Sequence, residues 1–333
     1  MLFVEILLML LLILLAAEVF VNALEHLGEH LKISEGVTGS LFAAVGTALP
    51  ETIVPLMAIF AGTEDAQVNE DIGVGAILGA PLMLSTLTLF LMAASVWRRR
   101  GASGKLAPEP GGLRRDLDFF LLAFALAAVA LFVPHQQEWA RALVALVMVL
   151  IYFIYVLLTL KASEALVRDG HGTQAVEPMW LNRIGFRKNL LLIGVQLVLG
   201  LVLLVAGAKG FIHGIERAAP VLGISTLLLS LMIVPVATEL PEKVNSILWI
   251  RRGKDTLAFG NVTGAMVFQG TLLPAIGIML TAWMPQKEVL AGVLITFVAA
   301  AWLRLRVAKG SIRVRDLVFN GFLYVGYLTI ALI

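Results

Sequence analysis

Apolar runs close to 20 residues long recur along the whole chain, and short stretches that hold most of its charge separate them. An α-helix of that length crosses the hydrocarbon core of a bilayer. The runs predict helical spans at about 2–24, 37–62, 72–96, 117–134, 139–160, 189–208, 221–250, 256–282, 288–305 and 316–333. None alternates at period two, as the strands of a membrane β-barrel do. The run 221–250 is too long for one straight crossing and is expected to tilt or break. The expected fold class is an all-α integral membrane protein with ten transmembrane helices.

Composition agrees. Of 333 residues, 59% are hydrophobic and 14% are charged. Soluble domains carry roughly 25% charged residues, so the surface of this chain must face lipid. Cysteine is absent, which excludes disulfides, thiolate metal sites and a thiol nucleophile. The first run has no basic leader and no small-residue cleavage signal, so it is expected to stay as the first helix. A net charge of +2 gives no reason to expect a nucleic-acid partner. No protein partner is predicted.

The placing of charge says more than its sum. Twenty of the 25 lysines and arginines fall in one alternate set of connections, and four (Arg141, Lys209, Arg217 and Lys287) fall in the other. The remaining one, Lys243, lies inside a span. Basic loops stay cytoplasmic. The rich side is therefore inside, both termini are outside, and the expected location is the inner (plasma) membrane. Trp97, Trp249 and Trp302 fall near inner ends, and Trp139 and Trp283 near outer ends, as an interfacial belt would.

The longest polar connection, 161–188, reads as a cytoplasmic linker between two halves, 1–160 and 189–333. Each half holds Thr-x-Leu-Pro-Glu in its second span: GTALPE at 46–51 and VATELPE at 236–242. In each half a glycine-rich span follows, GVGAILGAPLM at 73–83 and GNVTGAMVFQG at 260–270. Five spans per half is an odd number, so the second half enters the membrane from the opposite side. Two inverted five-helix repeats of this kind are the plan of many secondary transporters, which bind their ions at the midplane, where helices are interrupted.

Proline followed by glutamate suits such a site. Pro50 and Pro241 each remove a backbone donor and leave a carbonyl one turn earlier in need of a partner. Glu51 and Glu242 are costly at this depth unless something positive or wet lies beside them. Thr47 and Thr238 add oxygens one turn back. An all-oxygen donor set suits calcium, sodium or magnesium rather than zinc or copper. The glycine steps Gly75/Gly79 and Gly260/Gly264 allow close helix approach or serve plain packing.

At these residues the chain resembles the cation/calcium exchanger superfamily, and within it the membrane region of bacterial and archaeal sodium/calcium exchangers. The resemblance rests on the two LPE elements and the glycine-rich elements after them, and it spans essentially the whole chain. It implies ten helices with outer termini, Glu51 and Glu242 as central calcium ligands, and oxygens from Thr47 and Thr238. Asn261 is the one polar residue kept from the family's second element. Calcium and sodium would be the transported ions, competing for overlapping ligands, and no cofactor is implied. Where the family pattern has a small hydroxyl residue after threonine, this chain has Ala48 and Glu239, which places an extra carboxylate, Glu239, among the candidate metal ligands. Ala76, Pro81 and Met266 also replace polar positions, so fewer oxygens remain for sodium.

The expected function is therefore a secondary-active antiporter that exchanges calcium for sodium by alternating access. Calcium/proton exchange is the alternative, because carboxylates buried at low dielectric hold protons that an arriving cation displaces. An intramembrane enzyme using Glu51 and Glu242 as an acid/base pair would need a water-bearing cleft and would leave the symmetry unexplained. A passive channel suits tight carboxylate sites less well than alternating access does. Lys243 stands four residues after Glu239 and next to Glu242, so it reads either as an ion-pair partner of Glu239 or as a tethered cation in the site. Gln269 reads as facing the site or bridging two helices; the five histidines form no ligand pattern.

Overall fold

The computed structural model describes residues 2–30, 43–167, 178–183, 185–186, 189–310 and 312–332. Each apolar run of the sequence is helical over most of its described residues. By length and composition, six helices among the described residues can cross a membrane, and the apolar helices at Ala48–Ala61 and Thr226–Val236 are shorter. The chain forms two compact units, Met1–Asp65 with Leu160–Leu222, and Ala66–Thr159 with Gly223–Ile333. Each unit thus draws on both halves of the sequence.

The first unit holds α1 (Leu2–His30), α2 (Ala43–Ala61), the short α7 (Trp180–Arg183) and α8 (Leu190–Leu222). In lipid, helices gain little from burying more apolar surface against one another, so close packing and internal hydrogen bonds must hold them. Both occur here. Gly200, Gly207, Gly210 and Gly214 of α8 lie against Phe20, Ile13, Met9 and Ile6 of α1. A Cβ on Gly200 would come within 2.9 Å of the Phe20 Cβ, and one on Gly214 within 2.5 Å of Ile6 Cγ1. The order of these pairs makes α1 and α8 antiparallel. At one end of the seam Gln196 Nε2 donates to Asn22 Oδ1 (2.9 Å) and to Val19 O (3.0 Å). The Trp180 and Leu181 amides then donate to Asn22 Oδ1 and Gln196 Oε1, which fastens α7 to this pair. At the other end Arg217 meets Glu5 at 3.1 Å.

α8 extends past residue 208, where the apolar run was expected to stop. Its polar residues there, Lys209, His213, Glu216 and Arg217, recur at helical spacing and leave the opposite face apolar, so the helix continues as an amphipathic one. Gly223, at φ +68°, ends it in the left-handed conformation that glycine adopts without strain.

The second unit begins with α3 (Ala66–Met83), which runs through a π-helical turn at Leu84–Thr88 into α4 (Leu89–Arg100). The turn frees a carbonyl, and Asn320 Nδ2 donates to that of Ser85 at 2.7 Å. Then come α5 (Pro110–Ala130), α6 (Glu138–Val167), α9 (Thr226–Thr238), α10 (Leu240–Arg251), α11 (Asp255–Leu280), α12 (Lys287–Ala308) and α13 (Val314–Leu332). Glu109 caps α5, accepting from the Gly111 and Gly112 amides. Those two bonds hold its carboxyl below the ordinary range for glutamate. A two-residue antiparallel ladder pairs Lys105–Leu106 (β1) with Ile312–Arg313 (β2).

Polar locks hold both ends of this unit. Arg100 makes a two-pronged pair with Asp255 at 2.9 Å, Arg304 grips Asp118, and Arg306 reaches Asp316 at 3.0 Å. At the far end the buried Arg141 guanidinium donates to the carbonyls of Ile278, Thr281 and Ala282. A cation there offsets the negative end of the α11 dipole. Between the ends lies an apolar core in which Phe120 and Phe124 stack 5.1 Å apart.

The span expected to tilt or break does break. α9 stops at Thr238, Glu239 takes φ −86° and ψ 8°, and α10 starts at Leu240. Pro241 then sits in the first turn of a new helix, where its missing donor would have no partner anyway.

Candidate metal centre

The break places a set of polar groups where a continuous helix would bury leucines. Glu239 sits in it, fully buried, and the amide of Gln269 on α11 donates to Glu239 Oε1 at 2.7 Å. Glu242 lies one turn into α10, 3% exposed. Asn261, also on α11, donates to the Glu242 backbone carbonyl at 3.0 Å and to Ser246 Oγ at 2.9 Å. α11 therefore meets the break twice, through side chains 8 residues apart.

Thr238 is buried, and its hydroxyl donates back to Val234 O at 3.2 Å. Lys243 is 5% exposed. Its Nζ donates to Pro235 O at 2.8 Å and lies 3.0 Å from Met83 Sδ, with Val236 O at 3.5 Å. The ammonium thus reaches back across the break to the last turn of α9.

α9 is held close to α3. A Cβ on Gly79 would lie 2.5 Å from Leu231 O, and one on Gly75 would lie 2.5 Å from Ser230 Cβ. This first glycine step is a close approach. The second is not: among the described residues nothing stands within 4 Å of a Cβ on Gly260, and for Gly264 only Tyr155 Oη does, at 3.8 Å.

In the first unit, Glu51 on α2 is 4% exposed and follows Pro50 within a helix that continues to Ala61. Thr52 Oγ1 donates to Ala48 O at 2.7 Å. The side chain of Thr47 lies outside the described residues. Glu18 is exposed, and Gln196 belongs to the α1–α8 lock rather than to either LPE element.

The sequence reading thus named Glu239, Glu242, Asn261 and Gln269, and the second unit brings them together. It missed Ser246, whose only signal is its spacing one turn after Glu242. It also missed Met83 as a neighbour of Lys243. The donors around the break are carboxylate, amide, hydroxyl and carbonyl oxygens, which is hard-cation chemistry.

Comparison with known proteins matches that chemistry. Residues 1–161 and 192–333 fit the sodium/calcium exchanger protein family. The chain belongs to that family. CaxA of Alkalimonas amylolytica is 27% identical over 275 residues, covering 81% of this chain and 77% of CaxA. Among solved structures, the H+/Ca2+ exchanger CAX superposes with a TM-score of 0.72 at 20% identity, covering 98% of this chain and 82% of that one. The sodium-calcium exchanger NCX_Mj superposes with a TM-score of 0.58 at 20% identity, covering 99% of each chain. This exchanger therefore shares its fold with both.

Proposed function

We propose that the protein is a secondary-active antiporter of the inner (plasma) membrane, exchanging calcium for sodium by alternating access. Glu51 and Glu242 are its central calcium ligands, with oxygens from Thr47, Thr238, Asn261 and Glu239. The observation that carries this reading is the helix break at Glu239, which holds two buried carboxylates, Glu239 and Glu242, in a member of an exchanger family. Buried carboxylates at such a break are costly unless a cation accompanies them.

The proposed topology has ten spans, two inverted repeats and outer termini. Contacts within each unit support it, because they join only ends that the charge pattern assigns to one side. Arg100–Asp255, Arg304–Asp118 and Arg306–Asp316 join inner ends. Glu5–Arg217, Arg141–Thr281 and the Glu70 carboxylate on the Ala282 amide join outer ends. The antiparallel pairing of α1 with α8, the first helices of the two halves, is what inversion requires.

Calcium/proton exchange is a second reading, and a specific observation favours it. Several oxygens that could serve sodium are absent or engaged. Ala48, Ala76 and Pro81 offer no side-chain oxygen, Lys243 takes Pro235 O, and the Asn261 amide is bonded to Glu242 O and Ser246. Calcium-45 uptake into proteoliposomes under an imposed sodium gradient, then under a pH gradient, tests both. Uptake driven by sodium and lost in Glu242→Gln is expected. Uptake driven only by the pH gradient would replace sodium with protons. Uptake equal in Glu242→Gln and wild type would remove the site.

A further inference from the structure

We propose that Lys243 is a tethered cation that fills the place of one coupling ion, so that calcium exchanges against two monovalent cations without moving net charge. This rests on the antiporter reading above and specifies its stoichiometry.

The argument starts from where the ammonium sits. The C-terminal end of an interrupted membrane helix presents carbonyls with no amide partner and the negative end of its dipole. In transporters such ends coordinate monovalent cations. α9 ends at Thr238, and Lys243 Nζ is on the carbonyls of its last turn, 3.5 Å from Val236 O and 2.8 Å from Pro235 O, which also accepts the Glu239 amide. The lysine reaches them from the other side of the break, eight residues on from Pro235. Met83 Sδ, a soft atom that binds hard cations weakly, lies 3.0 Å from the same ammonium. The position is thus a carbonyl site already occupied by a charge the chain carries itself.

The charge count follows. Glu239, Glu242 and the proposed ligand Glu51 bring three negative charges, and Lys243 brings one positive. The two that remain equal one calcium ion or two monovalent cations. Removing the ammonium leaves three, and it vacates a place on the last turn of α9 for a further monovalent ion.

Calcium-45 exchange in proteoliposomes, with the membrane potential clamped by potassium and valinomycin, tests this. For wild type the equilibrium calcium ratio should stay constant across imposed potentials. For Lys243→Gln it should shift tenfold for about 59 mV, the value for one net charge per cycle. A purely structural lysine would lower the rate in the variant and leave the ratio insensitive to potential, which overturns the proposal. Wild-type exchange that itself follows the potential overturns it too, with no variant needed. Absence of cation-driven calcium flux in wild type would remove the antiporter reading and this inference with it.

Discussion

The two Thr-x-Leu-Pro-Glu elements are close in sequence and differ in structure. Around Glu51, α2 continues through Pro50 and Pro55 to Ala61. Around Glu242 the helix stops at Thr238 and restarts at Leu240. The residue after each glutamate differs as well. Thr52 returns its hydroxyl to Ala48 O, one turn back, while Lys243 sends an ammonium to Pro235 O, two turns back and across the break. One motif thus supports either a continuous helix or two helices. A proline lowers the cost of a break without dictating one.

The largest expected effect tests whether the two elements act as equals. Glu51→Gln and Glu242→Gln should each lower calcium-45 uptake by on the order of 100-fold or more, beyond the 10–100-fold common for residues outside the metal's own ligands. A severe loss in only one would make the other glutamate auxiliary. Next, Thr52→Lys puts an ammonium after Glu51, as Lys243 follows Glu242. Like charge disfavours cation binding, so apparent calcium affinity should fall by about tenfold or more. Unchanged affinity would show that the two positions do not correspond.

Smaller effects separate the glycine steps. Gly79→Ala forces a Cβ against Leu231 O and should destabilise the second unit by about 1–3 kcal/mol, as overpacking does. Gly260→Ala meets nothing among the described residues and should stabilise α11 by about 0.5–1 kcal/mol, the helical preference of alanine over glycine. Thermal unfolding in detergent reads both. The smallest effect concerns Glu109. Its carboxyl is held below the usual 4.5, so its capping contribution is present above that pH and fades as pH falls through the lowered value. Glu109→Gln should therefore be less stable than wild type at neutral pH, and the difference should shrink in acid.

Much of this was legible in the sequence because lipid enforces it. Apolar runs had to be helices, and a run of 30 residues, 221–250, could not be one straight crossing. Helix ends were less legible. α8 continues to Leu222 as an amphipathic helix, which a search for apolar runs misses. The π-turn at Leu84–Thr88 carries no local signal, since it depends on Asn320 from α13. At the site, the glutamates and Asn261 stood out as polar residues in apolar helices. Sequence spacing set Lys243 four residues after Glu239 and gave no sign of the bond to Pro235 O, for which the lysine reaches back across the break to the last turn of α9.

The glycine seam of the first unit has a mechanical consequence. From Ile6 to Phe20, a rise of about 21 Å at 1.5 Å per residue, α1 touches α8 too closely to slip or rotate against it without lifting apart, so the two behave as a single bar. α7, at the end of the chain that joins the two halves, is bolted to that bar through Asn22 and Gln196. A tug on α7 would accordingly be felt at Glu5 and Arg217, at the other end of the bar.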